Sequence, residues 1–535
     1  MKSHISAVAF AALFPLSATM AFAQGNGSFT NTLQESIDGG GRNIMRTAEG
    51  GLVTAFGRKD GESSKLVFSC SADNGKNWSS VVVDSAKGVL QEAALDSNFN
   101  GSYVAFTEDL NGEVVGRVAY FSAPFASDST YVLSESVTPS GVVPRETSIQ
   151  ASRAGWGERA DQDRNTVAYG WQDQESKALY IGVSPDGQIF PVAKRVVSDP
   201  HAVSGPSVAI RGKFVIATYQ TKNPEMVPSD VSGDERAGRS YPAWVESSDG
   251  GRTWSKPSPL FGVSKEGFPA TRVEVGSGGY RNVRLAGGTS LPNSPILNWS
   301  RPASLEFSLS RNKASPFLKK EPKRPSVSLK DMVDQLGSLT FVQSSMVGVE
   351  VDGKPGEVSI VSFRPLSRNS QWTHVVANNK LADQAARVSK EISKFEAQTS
   401  QFQYAALIDT PVRATVYKEF DEASRATRLV AAASTDTGKS FKHHLSFSKS
   451  ELAKLGVENF DEATVFAASQ CLYEDRDGRV YVDIIVSNGG SMHYARVPIG
   501  VNAAEIRKQA ARRPETSQRP KKIQGQKAGK KKELS

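Results

Sequence analysis

One short pattern recurs along this chain and narrows the folds open to it: Ser, any residue, Asp, any residue, Gly, two residues, then an aromatic. It stands at 71–78 (SADNGKNW), 247–254 (SSDGGRTW) and 434–441 (STDTGKSF), and in shortened form at 184–190 (SPDGQIF). Each full copy follows a short apolar stretch such as 65–69 (KLVFS) or 429–433 (LVAAA), so Asp-x-Gly falls where two antiparallel strands must reverse. Gly supplies a positive φ there, and the Ser hydroxyl and Asp carboxylate can satisfy the free amides of the turn. The aromatic then covers the hairpin base. A reversal that returns at irregular intervals, each time closing a β unit, marks a radially repeated sheet protein whose blades bury their faces against one another.

A second repeated unit supports this organisation: an alternating strand, a Gly-containing turn and a further strand ending in an aromatic. It is read at 43–56, 92–106, 146–171, 204–219, 402–417 and 466–485, as the inner two strands of successive blades. Between 271 and 377 the pattern blurs, and 273–286 and 339–363 either share one blade or make two. Merging them gives seven units. Residues 311–335 are basic and Pro-rich, an exposed insertion. Over 381–398, Ala385, Val388, Ile392 and Phe395 recur at helical spacing and predict one amphipathic helix against the sheets.

The ends of the chain differ from its middle. Residues 1–23 combine Lys2, an apolar run and Ala21-Phe22-Ala23, the signature of a cleaved secretory signal, so the protein is expected to be exported to a bacterial periplasm or exterior. No later stretch is long and apolar enough for a transmembrane helix. The formal net charge of +8 equals the excess of eleven Lys or Arg over three Glu in the tail 501–535. Residues 1–500 are therefore neutral by count, and 24–500, one expected β domain, show no basic face for specific nucleic-acid binding. The tail starts as a short helix and becomes low-complexity, suited to weak contact with anionic surfaces. Cys70 and Cys471 fall in different strand layers and are read as two buried thiols rather than a bridge. The six His are scattered, and His443 and His444 take opposite faces of a strand, so no metal or other cofactor is expected.

The repeated turns resemble the Asp-boxes, or BNR repeats, of the sialidase superfamily. The resemblance implies an all-β, sialidase-type β-propeller; six blades is the number it implies, against seven by count. In that family the boxes lie at the blade periphery, so they identify a fold rather than an activity. The resemblance also implies a site at the centre: an arginine triad for a substrate carboxylate, an Asp acid/base, and a Tyr nucleophile paired with a Glu. Arginine suits the first task because its planar fork meets a carboxylate bidentately. A Tyr nucleophile departs from the usual two-carboxylate glycosidase plan.

Carried onto this chain, Arg42 stands where the family's first arginine opens the first inner strand, although the Pro that follows in the family is missing. Arg58, Lys59 and Asp60 follow Ala55-Phe56 as the family's Arg and acid/base Asp follow its second strand, which makes Asp60 the acid/base candidate. Position alone adds Glu92, Arg145 and Glu146 near inner-strand starts, and Arg272 and Arg281 as further triad members. The stretch 469–472 (SQCL) resembles the segment that bears the family's nucleophile, but Ser469 occupies the Tyr position and Tyr473 comes four residues later. Two functions stay open. One is a propeller that recognises acidic glycans or protein partners with catalysis lost, favoured by the missing Tyr and incomplete triad. The other is an exo-α-sialidase-like glycoside hydrolase acting on terminal sialic-acid-type sugars.

Overall fold

The structure, a computed structural model, describes residues 44–512 apart from 48–50, 61–62, 84–87, 99, 124–130, 153–164, 212, 227–240, 260–269, 276–280, 289–305, 310–338, 352–353, 366–372, 379–385, 388–401, 408–409, 422–424, 437–440, 458–459, 461–464, 469–471 and 488–491. Between 270 and 387 it describes strand backbone. The first unit comprises Ile44–Arg46, Leu52–Asp60, Ser63–Ser71 and Ser79–Val83; the second Val89–Ser97, Gly101–Leu110, Glu113–Ser122 and Tyr131–Leu133. The third comprises Pro144–Ala151, Val167–Asp173, Leu179–Ser184 and Lys194–Val197; the fourth Ala202–Arg211, Phe214–Thr221, Tyr241–Ser247 and Ser258–Pro259. Each pairs its strands antiparallel in chain order. The same meander returns at Phe402–Ala406, Arg413–Asp421, Ala426–Ser434 and His443–Phe447, and a closing unit holds Val465–Ala468, Tyr473–Glu474, Arg479–Ser487 and Met492–Asn502.

Second strands such as Val167–Asp173 are buried along their whole length. Such strands read as continuous apolar runs because neighbouring units cover both faces. The innermost strands pack side by side, Val89–Ser97 against Pro144–Ala151, that strand against Ala202–Arg211, and Ala202–Arg211 against Ala270–Val275. Val465–Ala468 of the closing unit packs against Ile44–Arg46 of the first. The chain is therefore an all-β propeller whose units are its blades. The blurred region resolves into one seven-stranded sheet, because Gly287–Gly288 pair with Phe341–Val342.

The repeated turns share one hydrogen-bond scheme. The Ser hydroxyl accepts the Gly amide, at 2.7 Å for Ser71 with Gly75 and 2.8 Å for Ser247 with Gly251, and donates to the Asp carboxylate at 2.9 Å and 2.7 Å. The Asp then collects amides beyond the Gly, as Asp73 does from Asn77 and Asp249 from Arg252 and Thr253. These bonds, led by the Thr253 hydroxyl, hold the Asp249 carboxyl well below the usual carboxylate range. The aromatic does more than cover its own hairpin. It reaches the preceding blade: Phe190 packs on Tyr103, and Trp78 meets Tyr494 of the closing blade edge-on at 5.2 Å. The turn glycines lie in the same contact, since a Cβ on Gly75 or Gly251 would sit 2.1 Å from Tyr494 or 2.7 Å from Val183. Gly is needed there for its positive φ and for this close approach.

Inner strands have an unpaired edge, and side chains of the preceding blade fill it. Glu92 accepts the Thr147 amide at 2.8 Å and Asp96 the Ala151 amide at 2.8 Å. Ser148 accepts the Val208 amide at 3.1 Å and Gln150 the Ile210 amide at 3.0 Å. The ring closes through a denser cluster. Asp483, fully buried, takes Arg46, Arg496 and the Tyr494 hydroxyl, while both arginines stack on Tyr473 at 4.7 Å and 4.1 Å from its centroid.

One expectation changes in detail. Of the helix predicted over 381–398, Ala386 and Arg387 are described, and they pair as a short strand with Val375 and Val376. The edge of Thr373–Asn378 offers unpaired backbone groups there, and local pairing outweighs helical spacing. The tail does begin as a helix, Ala503–Arg512, with Ala503 inside the closing blade's core. Cys70 is a buried free thiol whose pKa burial pushes up to about 11. Cys471, the signal segment 1–23, the insertion 311–335 and the tail beyond Arg512 lie outside the described residues.

Replacing Gln150 by Ala strips the buried Ile210 amide of its acceptor and should lower stability by about 1–3 kcal/mol, with no pH dependence because the lost group is uncharged. Urea melts of the variant at two pH values check this; an unchanged midpoint would refute the role assigned to Gln150.

Candidate functional site

Chain direction alternates within a blade, so the start of the innermost strand and the link between the second and third strands share one face. The Ser-Asp-Gly turns between the third and fourth strands lie on the other. The register puts Arg58 opposite Lys65 and Asp60 opposite Ser63, at the second-to-third link of the first blade. Glu92 lies near the start of Val89–Ser97, and Arg145 and Glu146 near the start of Pro144–Ala151. These five candidates therefore share the face where inner strands begin, away from the repeated turns.

On that face the inner strands of three consecutive blades leave regular pairing. The second blade shifts register between Leu90 and Glu92, and the third sets Glu146 and Thr147 opposite the single residue Trp171. The fourth shifts twice between Ala202 and Ser207. Bulges of this kind re-aim side chains and concentrate next to binding sites. The third carries strain as well, because Glu146 holds φ at 57°, a left-handed conformation that costs an ordinary residue roughly 1–2 kcal/mol.

The bulges bring two carboxylates and one guanidinium together. Glu92 Oε2 accepts both the amide and the hydroxyl of Thr147, at 2.8 Å and 3.0 Å. Glu146 is solvent-accessible at its surface yet set among enough protein that desolvation lifts its carboxyl above the usual range. The negative charge of Glu92 raises it further, against the opposing pull of Arg145 and of the Gly205 amide. Arg145, half-buried, gives Nε and Nη2 to Gln172 Oε1 at 3.1 Å and 2.7 Å, and makes no ion pair among the described residues. A carboxyl that keeps its proton more readily than usual, a second carboxyl group and an arginine with no ion pair among the described residues can together donate and accept hydrogen bonds, and can exchange one proton.

The other predicted residues spread more widely. Arg58 is exposed, Asp60 ends its strand, and Arg42 lies outside the described residues. Arg272 sits on the inner strand Ala270–Val275, opposite Arg284. Arg281 opens the neighbouring strand across from Val275, at the end of the pair where inner strands finish. Tyr473 belongs to the ring-closing cluster, also at an inner-strand end, where it pairs with Tyr481 and supports Arg46 and Arg496. Sequence reasoning missed Gln172, Thr147 and Gly205, whose polar groups face the site. The one available signal was Gln172-Asp173 ending an otherwise apolar strand. Among the described residues no three His, Cys, Asp or Glu gather as a metal site, and no helix is long and apolar enough to cross a membrane.

No family model and no curated protein matches the chain. Solved structures similar to it include a sialidase of Trypanosoma rangeli, at 12% identity and a TM-score of 0.36 over 92% of this chain and 60% of that one. The chain thus spans about 60% of that sialidase's length. They also include an ulvan lyase, at 10% identity and a TM-score of 0.38 over 91% and 98% of the two chains. An α-L-arabinanase of Penicillium chrysogenum is similar at 10% identity and a TM-score of 0.30 over 76% and 98%.

The raised carboxyl gives the site a pH signature. The folded state retains the Glu146 proton more readily than the unfolded chain does, so this group favours folding below about pH 4.5, and that contribution is lost as pH rises through the folded value. Glu146→Gly should therefore raise stability at neutral pH by up to about 1 kcal/mol, the released strain less the lost Gly205 hydrogen bond. The gain should shrink on acidification. Denaturant midpoints at pH 4 and 7 decide it: a neutral-pH loss would show that Glu146 is structural and unstrained.

Proposed function

We propose that this protein is an exported propeller that binds acidic glycans on the face where its inner strands begin, with Arg145 taking the sugar carboxylate and Glu92 and Glu146 facing its hydroxyls. The observation that carries the reading is the convergence of these three side chains on bulged strands of adjacent blades, one of them in a strained conformation. The Asp-box resemblance supplies the sugar class. Arg58 on the same face adds positive charge, and Arg42 and Arg272 are the further arginines that the resemblance would bring to the carboxylate. Asp60 at its rim would hold the acid/base place.

Recognition without cleavage is favoured because Tyr473, the phenol nearest the expected nucleophile in sequence, is engaged in closing the ring. One observation supports a hydrolytic alternative. Two carboxylates in unlike environments, one raised by burial and by its neighbour, form the acid and base pair of ordinary glycosidases. Release of a fluorogenic aglycone from a sialic acid conjugate, lost in Glu146→Gln, would establish that alternative.

For the binding reading, Arg145→Ala should weaken sialyllactose binding by about 10–100-fold, the worth of a charge-assisted contact, and leave lactose unaffected. Wild-type affinity should fall as pH rises from about 4.5 and Glu146 loses its proton, since a second carboxylate then faces the ligand. Calorimetric titration of both sugars across pH 4–8 checks both points, and equal loss of lactose binding would sink the carboxylate role.

The basic tail is read as a second, weaker contact with anionic surfaces. Because Ala503 is core and Ile506 packs against it, the informative truncation follows Arg512 and not Val501. That truncated chain should stay folded and lose retention on vesicles containing anionic phospholipid at low salt, and retained binding would remove the idea.

A further inference from the structure

We infer that Gln172 sets the charge preference of this site: a buried neutral amide that orients the Arg145 guanidinium without neutralising it. The inference rests on the proposed function for the identity of the ligand, but not for the Gln172–Arg145 contact itself. Gln172 is fully buried and faces Arg145 across a cross-strand pair of the third blade. Its Oε1 takes Nε and Nη2 of Arg145 at 3.1 Å and 2.7 Å, while its own Nε2 donates to the Lys177 carbonyl at 3.3 Å. The second bond fixes which way the amide points, so an oxygen and not an NH2 meets the arginine.

This choice of partner is chemically specific. A guanidinium has five N–H donors and the amide oxygen uses two, which leaves three for a ligand and leaves the full positive charge. A Glu at the same place would reach the same nitrogens and form a bidentate ion pair, satisfying the donors and cancelling the charge. The surroundings would not restore it, because the neighbouring group on which the Arg145 charge acts, Glu146, is itself a carboxyl. A site selecting neutral sugars would lose nothing by having a carboxylate there. Gln172 acts through Arg145 and is a positioning residue.

The test is Gln172→Glu, a near-isosteric change, with Gln172→Met as the variant that removes the acceptor without adding charge. Arg145 is half-buried, so its reactivity toward phenylglyoxal, read by peptide mass spectrometry, reports whether it is ion-paired independently of any sugar. Gln172→Glu should protect Arg145 severalfold at pH 8, lower sialyllactose affinity by at least tenfold at pH 7 and leave lactose unchanged. It should also steepen the recovery of affinity on acidification beyond what Glu146 gives the wild type, as the introduced carboxylate takes up a proton. Gln172→Met should leave Arg145 reactive, weaken sialyllactose binding and keep the wild-type pH profile. Equal labelling of Arg145 in wild type and Gln172→Glu, with unchanged sialyllactose affinity, would overturn the inference. If Gln172→Glu does not fold, a Gln172→Met protein with wild-type sialyllactose affinity overturns it equally. Protection of Arg145 in Gln172→Glu together with no wild-type binding of sialyllactose would support the contact and sink the proposed function alone.

Discussion

A strand that faces the axis of a ring has backbone N–H groups on its open edge and no further strand to receive them. Left bare among packed blades, each would carry the penalty of an unmade hydrogen bond. Side chains from the blade before supply the acceptors: Glu92 and Asp96 serve the third blade at residues four apart, and Ser148 and Gln150 serve the fourth at residues two apart. The blades are joined by bonds whose spacing follows strand register, so neighbouring inner strands cannot slide without losing them together. Everything on the starting face inherits its placement from that lock.

Glu92 shows how structure and site share a residue. Its Oε2 fastens Thr147, the second residue of the bulge, while its charge acts on Glu146, the first. The bulge therefore stays left-handed because both sides hold it, Glu92 from the second blade and the Gly205 amide from the fourth. A side chain strained by its own backbone, restrained by two neighbours and poor at losing its proton is expensive to keep for packing alone.

The fold was legible in the sequence because turn chemistry is local. Ser, Asp and Gly within five residues determine the reversal, and the alternating stretches around them identify the strand pairs at 43–56, 92–106 and 204–219. The site was less legible. Position alone puts the candidates Glu92, Arg145 and Glu146 near inner-strand starts, but the bulges that bring them together depend on register between strands and leave no local pattern. Gln172 was missed because a polar residue at a strand end reads as solvent-facing, whereas here it is fully buried against Arg145. The helix expected over 381–398 failed at Ala386–Arg387 for a related reason: periodicity in one segment carries no information about a free sheet edge beside it.

The cluster around Asp483 joins residues far apart in the chain, Arg46 and Asp483 being separated by 437 positions. For a flexible chain, bringing two such points together would cost about 5 kcal/mol in closure entropy, beyond a constant term. Here the intervening blades each present an edge to the next, so the ends are delivered almost to contact before the last pair forms. The arginine-aspartate-tyrosine contact completes the circle. Among the described residues that fastening is made from side chains and shares no strand between the two blades, which makes it a natural place for the ring to open when the protein is stressed.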